Sequence, residues 1–61
     1  MSQTVNASIL IIEDDPRQLR LYAKALRGYR LTCVATASAA LTILQEHVPD
    51  LILLDLSLIH I

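Results

Sequence analysis

Two short, uninterrupted apolar runs, each followed at once by an acidic residue, constrain the fold of this chain more than any other feature. The first run is SILII at 8–12, which is rich in β-branched residues, and the second is LILL at 51–54. Apolar runs of this length are typical of strands that are buried on both faces, as in the middle of a parallel sheet. The two runs therefore predict buried strands that lie side by side.

A helix is predicted between the first run and the single glycine of the chain. Apolar residues recur over 17–27 at intervals of three and four, at Leu19, Tyr22, Ala23 and Leu26. Asp15 is suited to cap this helix, Pro16 to occupy its first position, and Gln18 to be the second member of a capping box. Gly28 comes just after the last apolar position, where a left-handed C-terminal cap is usual.

A third strand and a second helix fill the chain between the glycine and the second apolar run. The segment 30–37 is rich in β-formers but alternates only in part, which suits a strand at the edge of a sheet. Helical spacing returns over 38–48, at Ala40, Leu41, Leu44 and Val48. Thr36 or Ser38 is the candidate N-cap, and Pro49 ends the helix.

The succession strand, helix, strand, helix, strand with short connections predicts an α/β fold with a parallel sheet. Right-handed crossovers and two central apolar strands favour the spatial order second, first, third. The chain then reverses direction between the first and third strands. Ligands of open α/β sheets bind at the carboxyl ends of the strands that flank such a reversal.

Acidic residues follow both flanking strands, with Glu13 and Asp14 after the first and Asp55 after the third. Carboxylates that meet at neighbouring strand ends raise one another's pKa unless a cation lies among them. Hard oxygen ligands in a small cluster suit Mg²⁺, which takes one or two protein carboxylates and fills its octahedron with water and phosphate oxygens. A spare carboxylate beside such an ion is placed for phosphoryl transfer, in which one acid attacks phosphorus.

Composition excludes several classes of protein. The chain has 61 residues, of which 54% are hydrophobic, and its single cysteine, Cys33, allows neither a disulfide within the chain nor a Cys/His metal cluster. The net charge of −1 predicts no basic patch for nucleic acid or an anionic membrane. No apolar run reaches the roughly 18–20 residues of a membrane span, and the opening residues do not resemble a signal peptide. We therefore expect a soluble, cytoplasmic protein.

Three stretches together resemble the amino-terminal half of a receiver domain from two-component response regulators: ILIIEDDP at 9–16, GYRL at 28–31 and PDLILLDL at 49–56. The resemblance implies a flavodoxin-like (CheY-like) parallel sheet, of which this chain holds a three-strand βαβαβ fragment of the five-strand whole. The later Ser or Thr and the Lys that hold the phosphoryl oxygens in this family are expected to lie beyond Ile61. We expect little phosphotransfer from the 61 residues alone.

The resemblance also implies a role for each acid. Asp55 is the expected phosphoacceptor, Asp14 a direct Mg²⁺ ligand, and Glu13 a second acid that acts on the metal through water. The backbone carbonyl of Leu56 is expected to complete the metal site, whereas Asp15 is left to cap the helix. The expected phosphoryl donor is a sensor histidine kinase or a phosphotransfer protein.

Two other functions fit part of the pattern. A degenerate receiver acts only through protein–protein contacts, and the presence of all three acids argues against it. A phosphatase of the haloacid dehalogenase type also uses an aspartyl nucleophile, but it needs a second Asp two residues later, where this chain has Ser57. Structural roles are expected for the other reactive side chains. Asp50 opens the third strand, His47 contacts the last carbonyls of its helix, and Tyr22 packs.

The chain divides into a tail at 1–8, the half receiver domain at 9–55 and a final segment, LSLIHI, at 56–61. The final segment stays apolar where a receiver turns, and it has no Gly, Pro, Asn or Asp. The codons CTG TCT CTT ATA CAC ATC encode it, and this string matches a transposase adapter end used in sequencing libraries. We interpret the segment as a suspected non-native tail from adapter read-through. The alternative is a longer strand, or a truncated product that pairs with another chain.

Overall fold

The computed structural model describes residues 7–55, in which three strands alternate with two helices. β1 is Ser8–Ile12, α1 is Pro16–Ala25, β2 is Arg30–Val34, α2 is Ala37–Glu46 and β3 is Leu51–Leu54. Each element lies where the sequence predicts it. Neither helix of this part of the chain is long and apolar enough to cross a membrane. The predictions for 56–61, namely the non-native tail and the Leu56 carbonyl, fall outside the described residues.

The sheet is parallel, and its strand order is β2-β1-β3, as the sequence predicts. β1 pairs with β2 on one side, where Ser8 lies opposite Arg30, and with β3 on the other, where Ile12 lies opposite Leu54. Because the two crossovers run in opposite directions across the sheet, right-handed connections place α1 and α2 on opposite faces. The carboxyl ends of β1 and β3 therefore flank the reversal of chain direction.

Local backbone chemistry ends the elements earlier than the apolar spacing predicts. The Thr36 side chain accepts a hydrogen bond from the Ala39 backbone N–H at 3.1 Å, so β2 stops before it and α2 begins directly after it. α1 ends two residues early because Leu26 already has the non-helical backbone angles of a C-cap. Gly28 has the expected left-handed backbone, with a φ of +104° that few other residues adopt, but it lies two residues beyond the C-cap Leu26 and forms the turn into β2.

The core lies on the face of the sheet that α2 covers, where Leu10 and Ile12 pack against Ala40. All five residues of β1 are buried because the strand has a neighbour on each side. The prediction that the third strand is buried is wrong, since Leu51 is 56% exposed and Ile52 is 46% exposed on β3. The reason is that no strand within 7–55 pairs with its outer edge.

A group of hydrogen bonds, which we name the clasp, fastens the start of β3 to the start of β1. Asp50 Oδ2 accepts from the Ser8 backbone N–H at 2.7 Å and from Ser8 Oγ at 3.4 Å. The Asp50 backbone N–H donates to the Ser8 carbonyl at 2.9 Å. His47, the C-cap of α2, places its Nε2 3.5 Å from the same hydroxyl. Asp50 thus opens β3 as expected, whereas the His47 side chain contacts Ser8 and not the carbonyls of its helix.

Candidate functional site

The carboxyl ends of β1 and β3 bring Glu13 and Asp55 together. The Glu13 backbone N–H donates to the Val34 carbonyl at 2.9 Å, and the Asp55 backbone N–H donates to the Ile12 carbonyl at 3.1 Å. These two bonds extend the pairing of β1 with each neighbour by one residue. The two acids therefore lie at adjacent strand ends, at the edge of the sheet where the sequence predicts a site.

Glu13 is a fully buried acid whose hydrogen bonding is incomplete. The residue is 0% exposed. Its Oε2 accepts a hydrogen bond from the Asp15 backbone N–H at 2.9 Å, whereas its Oε1 is buried and accepts no hydrogen bond from any donor among the described residues. A buried polar atom without a partner costs free energy and is uncommon in native proteins. The unmatched oxygen indicates a place for a proton or a cation.

The side chain of Asp55 is the main reason that the pKa of Glu13 is raised. A hydrogen shared between the two carboxyl groups is the largest cause, and burial and the negative charge of Asp55 act in the same direction. The bond from the Asp15 backbone N–H opposes them, and Asp14 adds a small rise. Two ionised carboxylates are acceptors only, so they need a shared proton or a cation between them. Glu13 and Asp55 therefore form a carboxyl pair that attracts positive charge.

The other two acids of this run are closer to solvent. Asp15 caps α1 as predicted, because its Oδ1 accepts from the Arg17 backbone N–H at 2.9 Å and its Oδ2 lies 3.3 Å from the Arg17 guanidinium. These interactions with Arg17 lower the pKa of Asp15. The Asp15 backbone N–H donates to Glu13 Oε2. Glu13 is therefore the acceptor for this N–H, whereas the predicted capping box assigned that function to Gln18. Asp14 is exposed beside the carboxyl pair.

The residues at this edge fit a small, hard cation such as Mg²⁺. The unmatched Oε1 of Glu13 beside Asp55 is the observation that favours a cation, and carboxylate oxygen is the ligand that Mg²⁺ prefers. No group of three or more His, Cys, Asp or Glu side chains that could hold a metal ion is found in the described part of the chain. Water and phosphate oxygens would therefore supply the remaining ligands, as is usual for Mg²⁺.

Tyr22 belongs to the site, although its spacing on the helix predicts only packing. The residue is half-buried on α1. Its phenol pKa is raised first by burial, then by the negative charges of Asp55 and Glu13, and also by a hydrogen bond with Asp55. Helical side chains lean toward the N-terminus of their helix, which for α1 adjoins the carboxyl end of β1. The sequence signal that could have predicted this role is a tyrosine at a core-facing position of the helix, because a buried tyrosine hydroxyl needs a polar partner.

Comparison with known proteins gives one family and a small set of relatives. The family model "Response regulator receiver domain" matches residues 9–61. Transcriptional regulatory protein KdpE of Mycobacterium tuberculosis is 40% identical over 52 residues, which cover 82% of this chain and 23% of KdpE. DNA-binding response regulator MtrA of Mycolicibacterium smegmatis is 39% identical over 57 residues, which cover 90% of this chain and 25% of MtrA. The chain thus spans about a quarter of the length of these relatives. No solved structure matches it.

Proposed function

The chain belongs to the receiver domain family of two-component response regulators, and we propose that Asp55 accepts a phosphoryl group from a sensor histidine kinase or a phosphotransfer protein. The proposal concerns the full-length protein, because the chain spans only part of its relatives. In this proposal the receiver is a cytoplasmic phosphoprotein. Phosphorylation shifts it between two conformations that an output domain or a partner distinguishes.

The position of Asp55 at the end of β3 suits it to be the nucleophile. The residue is half-buried, so its carboxylate is held by the sheet yet remains open to a donor. One carboxylate oxygen attacks the phosphorus of a phosphohistidine, and the P–O bond forms as the P–N bond breaks. The electron pair of the broken bond returns to the imidazole nitrogen. The product is an acyl phosphate, which water can later hydrolyse.

The neighbouring residues prepare Asp55 for this reaction. The proposed direct Mg²⁺ ligands are Asp14, Asp55 and the Leu56 carbonyl, and Glu13 is proposed to act on the ion through water. When it is bound, Mg²⁺ offsets the negative charge of the phosphoryl oxygens. A proton shared with Glu13 weakens Asp55 as a nucleophile, so we expect transfer to require that Glu13 is ionised. The Tyr22 hydroxyl orients the carboxylate by its hydrogen bond.

One observation supports this function most strongly, namely the unmatched, buried Oε1 of Glu13 next to Asp55. A single acid at the end of a strand is usually solvated and structural. A buried acid next to a second acid is a costly arrangement, and such arrangements are concentrated at functional sites. The reversal of chain direction between β1 and β3 also favours a functional site here, because ligands of open α/β sheets bind at the carboxyl ends of such strands.

The proposal is tested by treating the full-length protein with acetyl phosphate, with and without Mg²⁺, and measuring its intact mass. We expect the wild-type protein to gain one hydroxylamine-labile phosphoryl group only when Mg²⁺ is present. Asp55→Asn removes the nucleophile and should abolish the gain. Glu46→Gln is the matched control, because it removes an exposed acid on α2 outside the site, and it should behave as wild type.

Two results would speak against the proposal. An acyl phosphate that persists in Asp55→Asn means that another residue is the acceptor. A folded wild-type protein that never gains the group supports the alternative, a degenerate receiver that acts only through protein–protein contacts. Circular dichroism of each variant separates these results from a failure to fold.

A further inference from the structure

Tyr22 is one of the two half-buried residues of α1, and the other is Leu19. The two are three positions apart, so they lie on one face of the helix. A leucine or a phenylalanine would serve packing at position 22 equally well, whereas a half-buried hydroxyl needs a polar partner. That partner is Asp55, with which the hydroxyl forms a hydrogen bond. Packing therefore does not explain the hydroxyl of Tyr22.

The hydrogen bond between Tyr22 and Asp55 has a fixed direction at neutral pH. A tyrosine hydroxyl keeps its proton there, and an ionised carboxylate can only accept. Tyr22 is therefore the donor and Asp55 the acceptor. The negative charge of a carboxylate is shared by both of its oxygens, so a donor at either oxygen stabilises it. Hydrogen bonds to a charged acceptor are also stronger than those to a neutral one. The hydroxyl therefore favours the ionised Asp55 over an uncharged derivative of it.

We propose that the Tyr22 hydroxyl shortens the lifetime of the acyl phosphate on Asp55, because it stabilises the carboxylate that leaves during hydrolysis. The inference rests on the proposed function, since it concerns the acyl phosphate formed there. In the hydrolysis step, the oxygen of a water molecule attacks the phosphorus, and the P–O bond to Asp55 breaks. The electron pair of that bond stays on the Asp55 oxygen. The products are the Asp55 carboxylate and dihydrogen phosphate, which holds both protons of the water.

The effect on the rate follows from the charge that Asp55 carries at each stage. In the acyl phosphate, neither Asp55 oxygen has a formal charge. In the transition state of phosphoryl transfer, which is loose, negative charge is already returning to the leaving group. The Tyr22 hydroxyl therefore binds the transition state more strongly than the acyl phosphate, and only such a difference accelerates a reaction. Loss of this one hydrogen bond should slow hydrolysis about three- to tenfold.

The alternative role for Tyr22 is to cover Asp55 with its ring, and this role has the opposite effect on the rate. A ring that only covers Asp55 excludes water, so its loss would shorten the lifetime of the acyl phosphate. Tyr22→Phe keeps the ring and removes only the hydroxyl, so this variant isolates the hydroxyl. A loosened fold would also admit water. A merely structural role therefore does not produce the longer lifetime that we expect of Tyr22→Phe.

The test follows the decay of the acyl phosphate in the full-length protein. The protein is phosphorylated with acetyl phosphate and Mg²⁺, the donor is removed by desalting, and intact mass gives the phosphorylated fraction over time. We expect Tyr22→Phe to keep the group about three- to tenfold longer than wild type. Tyr29→Phe is the matched control, because it removes the same hydroxyl from a tyrosine that is 41% exposed and precedes β2, at the opposite end of the sheet from Asp55. It should decay as wild type does.

A double-mutant cycle tests the hydrogen bond without phosphorylation. Tyr22→Phe and Asp55→Ala each remove one partner of the bond, so their effects on the free energy of unfolding should not add. Additive effects would overturn the inference, and so would a half-life of the acyl phosphate in Tyr22→Phe that is equal to or shorter than in wild type. A folded wild-type protein that gains no phosphoryl group, even where the cycle shows coupling, would overturn the proposed function and the inference with it. Circular dichroism checks that each variant is folded.

Discussion

At the scale of single residues, the pair formed by Glu13 and Asp55 links protonation to folding. In the folded chain the pKa of Glu13 lies above its ordinary value of 4.5, chiefly because of Asp55. Between these two values the folded state holds a proton that the unfolded state has released. The stability that this proton provides is complete below pH 4.5 and is lost as the pH rises through the raised pKa. This is the reverse of the behaviour of an ordinary salt-bridged carboxylate.

We predict that Glu13→Gln, without divalent cations, removes the fall in stability that wild type shows as the pH rises above 4.5 and through the raised pKa of Glu13. Glutamine has no proton to lose, and its amide can donate a hydrogen bond to Asp55. The urea midpoint of the variant should exceed that of wild type at the upper end of this range. Urea unfolding at several pH values measures the effect. Glu46→Gln should keep the wild-type profile, and identical profiles for Glu13→Gln and wild type would refute the prediction.

At the scale of elements, side-chain caps fix where each helix begins. Asp15 accepts from the Arg17 backbone N–H at the start of α1, and Thr36 accepts from the Ala39 backbone N–H at the start of α2. Neither helix has an acidic residue in its first turn. Each cap satisfies one of the free N–H donors of its first turn.

We predict that Thr36→Ala lowers the free energy of unfolding by about 1 kcal/mol, because one N–H of the first turn of α2 loses its acceptor. Chemical denaturation measures the loss. Ser38→Ala is the matched control two residues later in the chain. The capping oxygen of α2 comes from Thr36 and not from Ser38, and alanine favours a helix, so stability should be unchanged or slightly higher. Equal loss in both variants would show that the cap is not the cause.

The existence and type of every element could be predicted, whereas their ends could not. Apolar spacing marks which residues face the core, and that property continues past the last helical residue, as at Leu26. The end of an element is set by a few hydrogen bonds and backbone angles. The sequence allowed either Thr36 or Ser38 as the N-cap of α2. Thr36 is the cap because its hydroxyl accepts a hydrogen bond from the free backbone N–H of Ala39.

At the scale of the whole molecule, the central strand of the sheet is paired on both sides, whereas the edge strand β3 is paired on one side only. β1 is enclosed, but β3 has an outer edge that no strand among residues 7–55 covers. Leu51, Ile52 and Leu54 are exposed there. Open apolar edges of this kind pair readily with other chains.

The order of strands and the meeting of Glu13 with Asp55 could be predicted, because both follow from the topology of the sheet. The full burial of Glu13 and the approach of Tyr22 could not, since they depend on how the elements pack in three dimensions.

We predict that the 61-residue chain self-associates through β3 as its concentration rises, and that Ile52→Lys reduces this association. A lysine on an edge strand opposes pairing because its charge must be desolvated or repelled. Sedimentation velocity over a range of concentrations measures the effect. Leu41→Lys is the matched control, because it places the same charge at a leucine that is 62% exposed on α2, and it should associate as wild type does.

The clasp between Ser8 and Asp50 has a consequence for the time course of synthesis. The two residues are 42 positions apart in the chain. At the usual elongation rate of about 5–20 residues per second, the ribosome adds the second partner roughly 2–8 s after the first. During this interval β1, the most buried strand among residues 7–55, has no neighbour on one side. The order of synthesis therefore delays the full enclosure of β1 until β3 has been made.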